Sequence, residues 1–177
     1  MELWNALNGL LTQLFHIREE IKNYNRIIAK LCKKYPVTQK LRQIKGVGPI
    51  TALSFFLVIG DHRRFPNRER LAAYLGLVSK RDQSGDVDKQ LGITKKGNRF
   101  LRRYLIQGAS YILGHFGEEC DLKTYRMKIA VCGGKIAKKK ATVAVARKLA
   151  GMIYTLWQTD EAYDPHYKKN HRNPQAA

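Results

Sequence analysis

The sequence predicts a mainly all-α protein: an N-terminal coiled-coil helix, then a helical domain with a helix-hairpin-helix-like element and a small irregular or hairpin loop carrying Ser84. Three observations predict it. The first is an unbroken heptad seam from Leu3, the second a series of helical apolar periods punctuated by single glycines, and the third the one stretch, Leu77 to Ile93, that has no helical period.

The seam runs Leu3, Leu7, Leu10, Leu14, Ile17, Ile21, Tyr24, Ile28, Leu31, Tyr35, alternating steps of four and three. A lone amphipathic helix drifts off a strict seven-residue repeat, so this regularity favours a coiled coil, with Pro36 at its end. The expected organisation is a coiled-coil or dimerisation helix over 1–36, a helical domain over 37–157 and a polar, loosely ordered tail over 158–177. Thr38 is a candidate cap for a short helix reaching Ile44. Gly46 and Gly48 then make a tight turn, and Pro49 opens a second, apolar helix that Gly60 closes. Such a turn presents backbone N–H groups to a phosphate in a helix-hairpin-helix element; it serves equally as a plain turn between two core helices.

Asn67 caps the helix of "RERLAAYL", and Gly76 stops it. Thr94 is the expected cap of the next helix, whose apolar face reads Phe100, Leu101, Tyr104, Leu105, Gly108 and Ile112. A short helix from Leu122 to Val131 and a long one from Ile136 to Trp157 follow. Tyr74, Tyr104, Tyr111 and Tyr154 fall on apolar faces and read as packing residues.

Lys and Arg outnumber Asp and Glu by 33 to 14, a formal charge of +19 and a pI near 10.1. That excess points to a polyanionic partner, and DNA or RNA is the expected one. Cys32, Cys120 and Cys132 have neither disulfide-framework nor zinc spacing, which suits a reducing cytoplasm. No apolar run reaches membrane-spanning length, and the start lacks the basic region of a signal peptide. The five histidines read as surface or helix-end residues, and no metal site is expected within the chain.

Ser84, with Gly85 beside it, lies ahead of a dense group of cations. A hydroxyl that attacks a phosphodiester needs exposure, help in losing its proton, and positive charge for the phosphate oxygens. Lys89, Lys95, Lys96, Arg99, Arg102 and Arg103 are the candidate cations, and Ser79 and Thr94 the rival hydroxyls. Ser-Gly is also a common turn dipeptide, and Asp82, Asp86 and Asp88 suit a turn better than a calcium loop.

The ordered series "IKGVGPITA", "FPNRERLAAYLGLV", "QSGD", "LGITKKGNRFLRRYLIQGA" and "KKKATVAVARKLAGMIYTLW" with "YDP" resembles the C-terminal transposase domain of the Piv/MooV-type DNA invertases and related insertion-sequence transposases, whose better-studied members are bridge-RNA-guided recombinases. The resemblance covers Leu41 to Pro165. It implies that Ser84 is the nucleophile, forming a covalent phosphoserine with a DNA end in strand cleavage and rejoining. Gly85, Gly92, Gly97 and Asn98 would shape the active-site loop. Gly46, Gly48, Lys89, Lys95, Lys96, Arg99, Arg102, Arg103, Lys138, Lys139 and Lys140 would contact nucleic acid. The family's site also uses Mg²⁺ held by a RuvC-like N-terminal domain; these 177 residues start at the coiled coil, so the chain alone is expected to be incomplete and inactive. A guide RNA and pairing of chains through the heptad helix are further implied partners, with a nucleoid-associated location. The alternative is a noncatalytic nucleic-acid-binding and dimerisation module.

Overall fold

A computed structural model describes residues 2–84, 87–115, 117–130, 133–159 and 161–170. The helices are α1 (Glu2–Lys34), α2 (Pro36–Leu41), α3 (Pro49–Ile59), α4 (Arg68–Tyr74), α5 (Arg99–Leu113), α6 (Asp121–Ala130), α7 (Lys135–Gln158) and α8 (Tyr167–Asn170). A 3₁₀ turn, His62–Arg64, joins α3 to α4, and an antiparallel hairpin, β1 (Ser79–Ser84) and β2 (Val87–Ile93), separates α4 from α5. The mainly all-α expectation holds, and the segment without helical period is the hairpin.

The core forms around α7, which packs against α5, α6, α4 and α2. Val145, Ala146, Leu149, Ala150 and Ile153 of α7 are buried against Leu101, Leu105 and Ala109 of α5, Leu122 of α6 and Leu71 of α4 within one apolar cluster. The alternation of Ala with larger residues along α7 lets neighbouring helices approach closely. Tyr154 is fully buried, and its hydroxyl donates to carbonyl oxygens of His62 (3.2 Å) and Phe65, tying the 3₁₀ turn to α7. Gln158 Nε2 donates to the same hydroxyl at 2.8 Å. In α3, Ala52, Phe55 and Ile59 face the core while Leu57 lies exposed, so this apolar helix is buried on one side.

Two caps differ from expectation. The short helix starts at Pro36 behind an extended Tyr35, and Thr38 sits inside it, its hydroxyl donating to Cys32 O at 2.8 Å. Pro36, with no N–H to satisfy and a fixed φ, suits the first helical position better than it suits a linker. Likewise Asn98, not Thr94, caps α5: its Oδ1 accepts from Leu101 N at 2.9 Å. Lys95 and Lys96 therefore precede the helix, and Phe100, expected on its apolar face, is 63% exposed.

α1 touches the rest of the fold through its C-terminal end, where Cys32 is buried near α3. Above it the seam residues Leu10, Leu14, Ile17, Ile21 and Tyr24 are all exposed. After α7 the chain returns to the core. Tyr163 is half-buried against the apolar cluster, its N–H donates to Gln43 Oε1 (3.0 Å), and Pro165 O accepts from Asp121 N (2.9 Å). The first part of the expected tail, including "YDP", is thus docked. Among the described residues no helix is long and apolar enough to cross a membrane.

Candidate nucleic-acid interface

The hairpin is an almost self-contained ribbon. Its register pairs Ser79 with Ile93, Arg81 with Gln90, Asp82 with Lys89, Gln83 with Asp88 and Ser84 with Val87, with an irregularity between Ser79 and Arg81. Ser84 belongs to the last described pair, at the end away from the helices. Gly85, and the side chains of Ser84 and Lys89, lie outside the described residues. At the usual strand rise, the five residue steps from Ser79 to Ser84 carry the chain roughly 17 Å from the hairpin root.

That root is held by a crossing of two backbone segments. Lys95 N donates to Gly76 O (3.2 Å) and Thr94 N to Val78 O (2.9 Å). At Gly76 (φ +68°) a Cβ would stand 2.0 Å from Lys96 O, and at Gly97 (φ +84°) one would stand 1.8 Å from Tyr74 O. Both positions require glycine for space as well as for φ. Lys95, between them, adopts φ +56°, a conformation costly for a side-chain-bearing residue and sustained by the surrounding bonds.

Arg102 completes the crossing. It is 8% exposed, and its Nη1 donates to Leu75 O (3.1 Å) and Lys96 O (3.0 Å). The expectation that Arg102 meets phosphate is thereby corrected: a guanidinium one turn into α5, with two uncapped carbonyls in reach, satisfies them and becomes internal. Lys95, Lys96, Arg99 and Arg103 remain exposed around it. Gly92 is exposed at the hairpin root. Gly48 is exposed at the start of α3, whereas Gly46 backs onto α5, where an added Cβ would lie 2.8 Å from Gly108 O. Gly46 is thus a packing contact between the turn and α5.

Beside the hairpin root lies an open cleft of about 710 Å³, walled by β2, α4, α6 and α7. Lys139, Lys140, Arg147 and Lys148 of α7 and Arg68 of α4 line it, with Glu69 as the acidic lining residue. Its floor is apolar: Leu91 and Ile93 of β2, Tyr125 and Ile129 of α6, Val143 of α7. Gly151 leaves room for the Arg68 stem, whose Cδ would be 3.3 Å from a Cβ there. The Lys148 ammonium stands 4.3 Å from the centroid of the Tyr125 ring, a cation–π contact. Lys138 is exposed on α7 outside this lining.

The structure therefore brings Lys139 and Lys140 together with Arg68, Arg147 and Lys148, three residues that sequence reasoning did not single out. The signal was present, since Lys140, Val143, Ala144, Arg147 and Gly151 recur at helical spacing along one stripe of α7. Arg68, from a different helix, had no such signal.

Residues 38–125 match the model of the Transposase IS116/IS110/IS902 family, and the chain belongs to that family. It is 35% identical over 158 residues to the transposase for insertion sequence element IS1111A of Coxiella burnetii, covering 89% of this chain and 43% of that protein. A probable family 20 transposase of Pseudomonas aeruginosa is 27% identical over 93% of this chain and 46% of its own length. The pilin gene-inverting protein of Moraxella lacunata is 30% identical over 70% of this chain and 38% of its own. The chain thus spans less than half the length of these relatives.

Proposed function

We propose that the chain forms the serine-bearing part of a DNA transposase or recombinase, with Ser84 as the nucleophile. In the step envisaged, the Ser84 oxygen attacks a DNA phosphorus, one P–O bond to a sugar breaks, and the departing sugar oxygen takes up a proton. The phosphoserine ester conserves the bond, so a second sugar hydroxyl reverses the step at a new end without an external energy source. The observation that carries this reading is the placement of Ser84 at the far end of a ribbon whose root is locked by Gly76, Gly97 and Arg102. A projecting ribbon reaches a duplex surface, and a fixed root limits the orientations its tip samples.

DNA is the proposed partner, and the exposed Lys95, Lys96, Arg99 and Arg103 are the phosphate contacts we assign near the hairpin root; Lys138, Lys139 and Lys140 extend the basic surface along α7. Gly92 and Asn98 shape the loop from its two sides, and Gly48 offers an open approach to α3 N–H groups. A structured guide RNA is a further proposed ligand of the same charge. Among the described residues no three His, Cys, Asp or Glu side chains gather as a metal site would need, so no step is routed through Mg²⁺ here. The proposal places that ion on acidic residues outside these 177, which agrees with the partial coverage of the relatives.

Within a complete enzyme, Ser84→Ala should abolish covalent attachment to DNA while leaving noncovalent affinity within about twofold, because a single hydroxyl contributes little to a binding surface governed by phosphate contacts. Attachment that survives the substitution would remove Ser84 from the role. If a complete enzyme forms no adduct at all, the chain acts as a noncatalytic binding and pairing module.

A further inference from the structure

We propose that the cleft between β2, α6 and α7 binds an unpaired stretch of nucleic-acid strand, its bases on the apolar floor and its phosphates on the cationic rim; this deepens the polyanion-binding part of the function proposed above. Two features of the cleft are needed together. Its rim carries Arg68, Lys139, Lys140 and Arg147, all exposed and without an ion pair among the described residues. Lys140 and Arg147 lie two helical turns apart, roughly 10 Å along α7, so they meet separate phosphates of one strand.

The floor is what decides between duplex and single strand. Leu91 is 44% exposed, and Ile93, Tyr125, Ile129 and Val143 are each half-buried there. In a duplex the base faces are stacked inside, so only sugar and phosphate would approach this apolar surface, and it would stay wet. Unpaired bases have free faces to lay on it, as in grooves that combine a positive rim with apolar or aromatic platforms. An acidic peptide would satisfy the rim and leave the floor bare. The Lys148 ammonium over Tyr125 places a positive charge at the floor itself, close to where a phosphate between two seated bases would lie.

The test is equilibrium binding by the 177-residue chain. The probes are fluorescent oligothymidylate and oligouridylate of about 12 nucleotides, an abasic deoxyribose-phosphate strand of equal length, and a duplex. Oligothymidylate should bind about tenfold tighter than the abasic strand, although both carry the same charge. The double substitution Leu91→Asp with Arg147→Glu should erase that difference; because it makes the net charge three units less positive it should also weaken duplex binding, so the ratio of oligothymidylate to abasic-strand affinity is the readout. Both side chains are exposed, and an unaltered melting temperature checks that the fold survives; Lys139→Gln with Lys140→Gln is the milder second variant, expected to lower the salt slope for oligothymidylate by about 1.4.

Equal affinity for abasic strand and oligothymidylate would overturn the proposal, as would a base-dependent difference that persists in the Leu91→Asp, Arg147→Glu protein. Tighter binding of oligouridylate identifies RNA as the source of the strand and tighter binding of oligothymidylate identifies DNA; each upholds the site. Failure to bind any probe at low salt would refute the polyanion reading as a whole. None of these readouts needs strand cleavage, so they stand apart from the role of Ser84.

Discussion

Arg102 donates to two backbone carbonyls from segments on either side of the hairpin, so its side chain is part of the fold and not of the binding surface. Arg102→Ala should cost about 1.5–3 kcal/mol of stability, read as a lowered denaturation midpoint, because charge-assisted bonds are lost and buried carbonyls are left unpaired. The salt dependence of nucleic-acid binding should stay unchanged, whereas Arg103→Ala should reduce that slope by nearly one unit and leave stability alone. Sequence spacing puts both residues on the first turns of α5 as cations; nothing in the pattern says which would find carbonyls on the inner face. At Tyr163, burial, reinforced by negative charge from Cys120, Asp121 and Asp164, pushes the phenol up to about 12. The folded state therefore holds the Tyr163 proton above the pH where an unfolded chain releases it. The associated stability is complete below about pH 10 and declines as pH rises toward 12. An ultraviolet titration should show a late phenol that is lost in Tyr163→Phe; a late phase left unchanged by that substitution would contradict this docking of the segment.

Among the elements, α1 and the hairpin were legible in different degrees. The heptad seam and Pro36 specified a long helix and its end, because period and breaker are local properties of the chain. The exposed Leu10, Leu14, Ile17 and Ile21 keep the pairing proposal open for test. Leu14→Asp with Ile17→Asp should shift the chain toward monomer in sedimentation while leaving the helical domain's unfolding midpoint unchanged, since this part of α1 stands clear of the core. A midpoint that fell with it would mean that the seam packs on its own domain. The caps of α2 and α5 were misassigned for one reason: Thr38 and Thr94 are suitable cap residues, but Pro36 and Asn98 were better placed for the first turn. The crossing at Gly76 and Gly97 was visible only as two helix-breaking glycines. Their mutual approach brings the end of α4 against the segment that leads into α5, a tertiary fact, and Gly97→Ala should destabilise by several times the ordinary Gly-to-Ala cost, since its Cβ would overlap a carbonyl.

At the scale of the whole molecule, a charge of +19 is spread along the chain and gathers at the hairpin root and along one stripe of α7 with Arg68 of α4, around an apolar core that includes several alanines. Composition pointed to a polyanion, and an ordered motif series to the transposase family; the cleft needed the fold, because Arg68, Leu91, Tyr125 and Arg147 come from four separate elements. The central claim is that Ser84, at the end of the locked ribbon, is the atom donor for a covalent link to DNA. The most direct measurement is mass spectrometry of the protein–DNA adduct trapped from a complete enzyme, digested to peptides and nucleotides. A nucleotide remnant on Ser84 is the result predicted; the same remnant on Ser79 or Thr94, with Ser84 unmodified, would contradict it.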